Sequence, residues 1–201
     1  MKQKRSFQTV ELILAAMFVA LMAIGSNITS WAPFLQIAGV PLSMGPFLSI
    51  LAGLLLGSRL GALSMLVYLL VGIAGAPVFS QFKGGIAVVF GNTGGFLISY
   101  IVAAYVAGKI MEKAQAPTRS TFYIASFVGI GIIYIIGTNY MYAALNVWLG
   151  VDMGYAAAWK VMAAFAVKDI AFTILGATIA PRIYQAVHRS GTLKSLDRTV
   201  S

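Results

Sequence analysis

The sequence predicts an all-α, polytopic membrane protein of six transmembrane helices, with the N-terminus and C-terminus both cytoplasmic. Three observations predict it. Of 201 residues, 60% are hydrophobic and only 9% charged, against about 25% charged in a typical soluble domain. A chain this short keeps much of its surface exposed, so a larger core cannot absorb the deficit and the apolar surface must face lipid. Apolar runs recur along the chain, and the basic residues fall between them and at the two ends.

The first helix is read at Val10 to Asn27. Lys2, Lys4 and Arg5 ahead of it, and Ala23-Ile24-Gly25 near its end, also fit a cleavable signal peptide. An uncleaved helix is preferred, because its removal would leave five spans and put the termini on opposite sides. The segment Ile28 to Met44 contains Trp31, Pro33, Gln36 and Pro41, and is too broken for one straight helix. The second and third helices are read at Gly45 to Leu56 and Leu60 to Ile73. Each is shorter than the roughly 20 residues that span lipid, so neighbouring segments must extend or shield them.

Gly75 to Gly85 is a glycine-rich connection. Irregular backbone of this kind is costly near lipid unless it is buried in protein or lines a cavity. The fourth helix, Ile86 to Met111, is read as including a second cluster, Gly91-Asn92-Thr93-Gly94-Gly95. Glu112 to Thr121, with Pro117, is a polar connection. The fifth helix is Phe122 to Leu149, followed by a short loop, Gly150 to Tyr155. The sixth is Ala156 to Val187, which Pro181 bends or ends early. Residues 1–190 form one domain and residues 191–201 a polar tail.

The charges test this topology. The formal net charge is +9, but the basic residues form no stripe on an amphipathic face, which argues against nucleic acid. With the N-terminus in the cytoplasm, Lys2, Lys4, Arg5, Arg59, Lys109, Lys113, Arg119, Arg182, Arg189, Lys194 and Arg198 all lie on that side. This asymmetry fits the positive-inside rule. The absence of cysteine excludes disulfides and thiolate metal sites. His188 is the single histidine and sits in the charged tail, so no metal site is expected. There is no Walker A sequence and no Ser/His/Asp set with a histidine in the membrane. The chain therefore reads as no enzyme and needs no cofactor; any ATPase belongs to another chain.

Lys83, Lys160 and Lys168 depart from the orientation rule. A lysine costs about 2.5–3.5 kcal/mol at a helix centre, so an intramembrane one is a functional candidate. Lys160 is read as snorkelling at the interface. Lys83 is either solvated or placed over a cavity. Lys168 and Asp169 lie about 12–14 Å deeper than Lys160 along the helix. Consecutive helical positions point about 100° apart, so each is expected to need its own partner. Either a structural ion-pair network satisfies them, or a small polar ligand with an anionic end and a hydrogen-bond-donating end does. Asn92, Thr93, Asn139 and Tyr140 are further candidates, since amides both donate and accept, which suits a cyclic amide or urea. Phe79, Trp148 and Trp159 are candidate walls, although the two tryptophans fit an interfacial aromatic belt better. On the first helix, Ala15, Ala16, Ala20 and Ala23 make a face of small residues that permits close helix packing.

Several fragments follow in order: Val40-Pro41, Leu54-Leu55-Leu56-Gly57, Arg59-Leu60-Gly61-Ala62, Tyr68-Leu69-Leu70-Val71-Gly72, Gly75-Ala76-Pro77-Val78-Phe79 and Gly91-Asn92-Thr93-Gly94-Gly95-Phe96. Together, over about residues 10 to 185, the chain resembles the BioY family, the biotin-binding S components of energy-coupling factor (ECF) transporters. The resemblance implies a six-helix S component in the bacterial inner membrane with a biotin pocket near the outer face. It implies assembly with a transmembrane coupling protein, against which an A-x-x-x-A pattern matched by Ala16 and Ala20 packs, and with two cytoplasmic ATPases. On this reading Asp169 is expected to accept the ureido N–H groups with Asn92 or Asn139 assisting, Lys168 or Lys83 to meet the carboxylate, and Phe79 and Tyr140 to contact the rings. The sequence departs from the family pattern in three places. Phe172 stands where a lysine follows the aspartate by three residues, Asn92 replaces a usual proline, and Gly45 stands where many relatives have glutamine. An S component for a different vitamin, a non-transporting structural or assembly protein, and a proton-coupled carrier are the alternatives.

Overall fold

The computed structural model describes residues 9–31, 36–37, 40–41, 43–114 and 116–189. The helices are α1 (Thr9–Asn27), α2 (Gly45–Ile73), α3 (Ile86–Val89), α4 (Gly94–Lys113), α5 (Arg119–Val147) and α6 (Tyr155–Arg189). Short 3-10 turns occupy Ile28–Trp31 and Ser80–Phe82. A two-residue antiparallel ladder joins β1 (Gln36–Ile37) to β2 (Val40–Pro41) within the broken segment. All of the helices except α3 are long and apolar enough to cross a membrane.

Helix α2 contains both the second and third helices expected from sequence. At Gly57 the backbone takes φ 81°, ψ 179°, a region essentially open to glycine alone. The chain reverses there. A methyl group on Gly61 would lie 2.9 Å from the Gly53 Cα, whereas residues eight apart on one straight helix are about 12 Å apart. Two antiparallel arms result, and the bundle has six helical passes. The break is one residue, tighter than the expected gap from Gly57 to Arg59. The arms are short, and the protein shields them: Leu54, Leu55, Leu56 and Leu60 are all buried. On the facing helix, buried Ala103, Ala104 and Ala107 let α4 approach closely.

A carboxylate clasps the reversal. Glu112 Oε1 accepts from the Ser58 N–H at 2.8 Å and the Ser58 Oγ at 2.7 Å, and Oε2 accepts from Lys109 Nζ at 2.8 Å. Ser58 opens the second arm, so the acidic group meets N–H groups that a helix start leaves without partners. Arg59, Lys109, Lys113, Arg119 and Arg182 share this end of the bundle, where Tyr184 of α6 packs edge-on against Phe122 of α5 at 5.5 Å. The glycine-rich connection lies at the other end. The side chains of Arg189 and His188, the basic N-terminal residues and the tail from residue 190 fall outside what is described.

One expected boundary is corrected. The fourth helix includes only Gly94 and Gly95 of the second glycine cluster: α3 stops at Val89, and α4 begins at Gly94 after a turn closed by the Gly94 N–H on the Gly91 carbonyl. The sixth helix, expected to reach Val187, continues through Pro181 to Arg189, so of the two expected effects the proline does not end the helix. A proline inside a helix removes one N–H donor, and helix packing in a membrane tolerates that loss.

Candidate binding site

At the end away from the basic cluster, a cavity encloses about 930 Å³ of empty space, open mouth included. Helix α6 contributes Met162, Phe165 and Asp169, whose spacings of three and four put them on one face. Ile133 and Tyr134 come from α5; Phe96, Leu97 and Tyr100 from α4. The connection Phe79 to Asn92 roofs the space with Phe79, Ser80, Gln81, Lys83, Val88 and Asn92.

The tip of α1 and the 3-10 turn that follows it hold that roof in place. Asn27 Oδ1 accepts from the Phe82 N–H at 2.7 Å, its Nδ2 donates to the Val78 carbonyl at 3.1 Å, and Ser30 Oγ accepts from the Gln81 N–H at 2.9 Å. The fastening matters because Gln81 (φ 64°) and Phe82 (φ 53°) are both left-handed without being glycine, at a cost of roughly 1–2 kcal/mol each. Phe79 anchors the near edge. Its ring lies where a side chain on Gly72 would go and meets Tyr68 edge-on at 5.5 Å, a pairing worth about 0.5–1.5 kcal/mol beyond burial.

Asp169 is the buried charge of the site, with 6% of its surface exposed. Its Oδ1 pairs with Lys168 Nζ at 2.7 Å and its Oδ2 accepts from the Tyr134 hydroxyl at 2.7 Å. Lys168 Nζ also donates to the Ser43 carbonyl at 2.6 Å. The two adjacent residues therefore do meet, contrary to the expectation from helical geometry. The reason is the lysine stem, long and flexible enough to bring its ammonium back round the helix. Each carboxylate oxygen has two acceptor directions, so Asp169 can still receive two further N–H groups. Asn92 offers an amide that makes no hydrogen bond among the described residues. Ser80 Oγ is buried and has no hydrogen-bond partner among the described residues.

Of the eight ligand candidates from sequence, the structure brings six to the cavity: Phe79, Lys83, Asn92, Thr93, Lys168 and Asp169. The other two are placed elsewhere. Tyr140 packs over Gly95, donates to the Val89 carbonyl at 2.7 Å and stacks edge-on with Trp148. Asn139 is exposed, donates to the Ile135 carbonyl and accepts from the Tyr155 hydroxyl. Neither Trp148 nor Trp159 lines the space. Ala16 and Ala20 are exposed on the outward face of α1, while Ala15 and Phe18 face the core.

The model of the BioY family matches residues 1–189. The chain belongs to the BioY family. BioYB of Bacillus subtilis (strain 168) is 52% identical over 190 residues, covering 94% of each chain. The biotin transporter BioY of Thermotoga maritima is 38% identical over 128 residues, 63% of this chain and 71% of its own. In fold, the chain resembles the crystal structure of the S-component for biotin from an ECF-type ABC transporter. The TM-score is 0.77 at 20% identity, covering 90% of this chain and 95% of that one. Such a likeness speaks for the fold alone.

Sequence reasoning missed several lining residues of this BioY chain. Met162 and Phe165 were legible by stepping back seven and four positions from Asp169 along one helical face. Tyr134 had no such signal, because only the packing of α5 on α6 brings its hydroxyl to Asp169.

Proposed function

We propose that this chain is the biotin-binding S component of an ECF importer in the bacterial inner membrane. The observation that carries the reading is a buried carboxylate, Asp169, in an aromatic-walled cavity of a BioY-family bundle. Free lone pairs on Asp169 receive the two ureido N–H groups. The Asn92 amide donates to the ureido oxygen. Phe165, Phe96 and Tyr134 face the fused rings, and burial of the apolar valerate chain adds affinity at about 25 cal/mol per Å². The cavity end faces outward, in line with the positive-inside expectation for the opposite, basic end. A coupling protein docks on the face carrying Ala16 and Ala20, and two ATPases drive reorientation of the whole bundle.

Titration of the purified chain with biotin, riboflavin and thiamine tests the reading. Biotin alone is expected to bind, and Asp169→Asn is expected to weaken it about 100-fold while the protein still accumulates in the membrane. Absence of biotin binding at micromolar concentration sinks it. One observation favours a second reading, an S component for another vitamin: Phe172 occupies the lysine position of the family's sixth-helix motif and packs against Phe47 at 5.9 Å. The same titration decides between the two.

A further inference from the structure

We propose that Lys83 on the roof receives the ligand's carboxylate, and that Lys168 is a structural clamp that never reaches it. The assignment rests on the proposed biotin reading and divides two roles that the sequence left open between these residues.

Lys168 is already committed. Its ammonium spends one donor on Asp169 at 2.7 Å and another on the Ser43 carbonyl at 2.6 Å. The Phe172 ring lies 6.0 Å from it on a further side. Moving Lys168 to an anion would strip a buried carboxylate of its counter-charge, which is strongly unfavourable. Left in place, the pair is close to neutral and attracts an anion weakly. What Lys168 does accomplish is positional: it ties α6 to the loop before α2 and fixes Asp169 for neutral N–H donors.

Lys83 is the opposite case. It lines the cavity, is exposed, and its side chain makes no ion pair or hydrogen bond among the described residues. Its backbone is nonetheless fixed, because the Phe79 N–H donates to the Lys83 carbonyl at 3.0 Å and the Gly85 N–H to the Gly72 carbonyl at 2.7 Å. An unpaired cation on a fixed roof, facing a cavity whose wall carries a neutralised acceptor, sorts the ends of an amphoteric ligand. The N–H-donating ring goes to Asp169 and the carboxylate goes to the roof.

Titration of the full-length purified chain with biotin and with biotinamide, its neutral carboxamide, tests this. The native chain is expected to prefer the acid by about tenfold or more, the scale of a hydrogen bond to a charged group. Lys83→Gln is expected to abolish that preference by weakening acid binding alone, and Lys83→Arg to keep it. Lys168→Met is expected to weaken both ligands by the same factor; if that variant does not fold, the Lys83 pair decides. The assignment is overturned if the native chain does not distinguish acid from amide. It is also overturned if Lys83→Gln leaves the ratio unchanged, if Lys83→Gln weakens both ligands equally, or if Lys168→Met removes the preference. A native chain that binds neither ligand overturns the proposed function itself, and this assignment falls with it.

Discussion

Replacing Asn27 with alanine should unfasten the roof of the cavity. The amide makes two bonds to the roof: Phe82 N–H to Oδ1 at 2.7 Å and Nδ2 to the Val78 carbonyl at 3.1 Å. Each is worth about 1 kcal/mol net. The Val78 carbonyl retains the Tyr68 hydroxyl 3.1 Å away, so its loss is partial. The Phe82 N–H loses its bond to Oδ1, and Phe82 can then leave its left-handed conformation, recovering roughly 1–2 kcal/mol of strain. A net shift of about 2 kcal/mol toward opening corresponds to roughly 30-fold in the open population. Stopped-flow release of biotin from the purified variant should speed up by about that factor, with little change in association. Amide exchange at residues 78–82 should rise in parallel, and Asn27→Asp, which keeps the Oδ1 acceptor, should fall between. Unchanged release together with unchanged exchange at Phe82 would refute the claim that Asn27 fastens the roof.

Two further changes probe the scaffold. Gly72→Ala places a methyl group in the Phe79 ring; overpacking of about 1–3 kcal/mol should displace that ring, lowering both the thermal midpoint and biotin affinity in the same preparation. Gly57→Ala puts a side chain on a residue at φ 81°, ψ 179°, so it should cost about 1–3 kcal/mol and lower the thermal midpoint while leaving the affinity of the surviving folded fraction intact.

Composition made the membrane bundle legible, because nothing but lipid accommodates so apolar a surface on so short a chain. The six passes were legible too, through Gly57 and the polar joints. The helix breaks were less so. Gly91 to Gly95 sits among apolar residues and reads as helix by hydropathy, and only the backbone closure of Gly94 on Gly91 shows the turn. At the site, charge in an apolar run singled out Lys168 and Asp169, and anomalous backbone singled out Phe79, Lys83 and Asn92. Asn139 and Tyr140 failed to reach the cavity because side-chain direction around α5 depends on how that helix is rotated against α4 and α6. The Lys168–Asp169 contact was hidden for a related reason: helical angles fix where a Cβ points, and a lysine ends four bonds further on.

Helix α1 meets two different demands along its length. Its tip, through Asn27, grips residues 78 and 82; its outward face presents Ala16, Ala20 and Ile24 to whatever lies alongside. The helix is thus a lever, with its load at one end and its bearing surface along the shaft. The flank and the contact with the roof are carried by one rigid element, with the Asn27 side chain as the link between them.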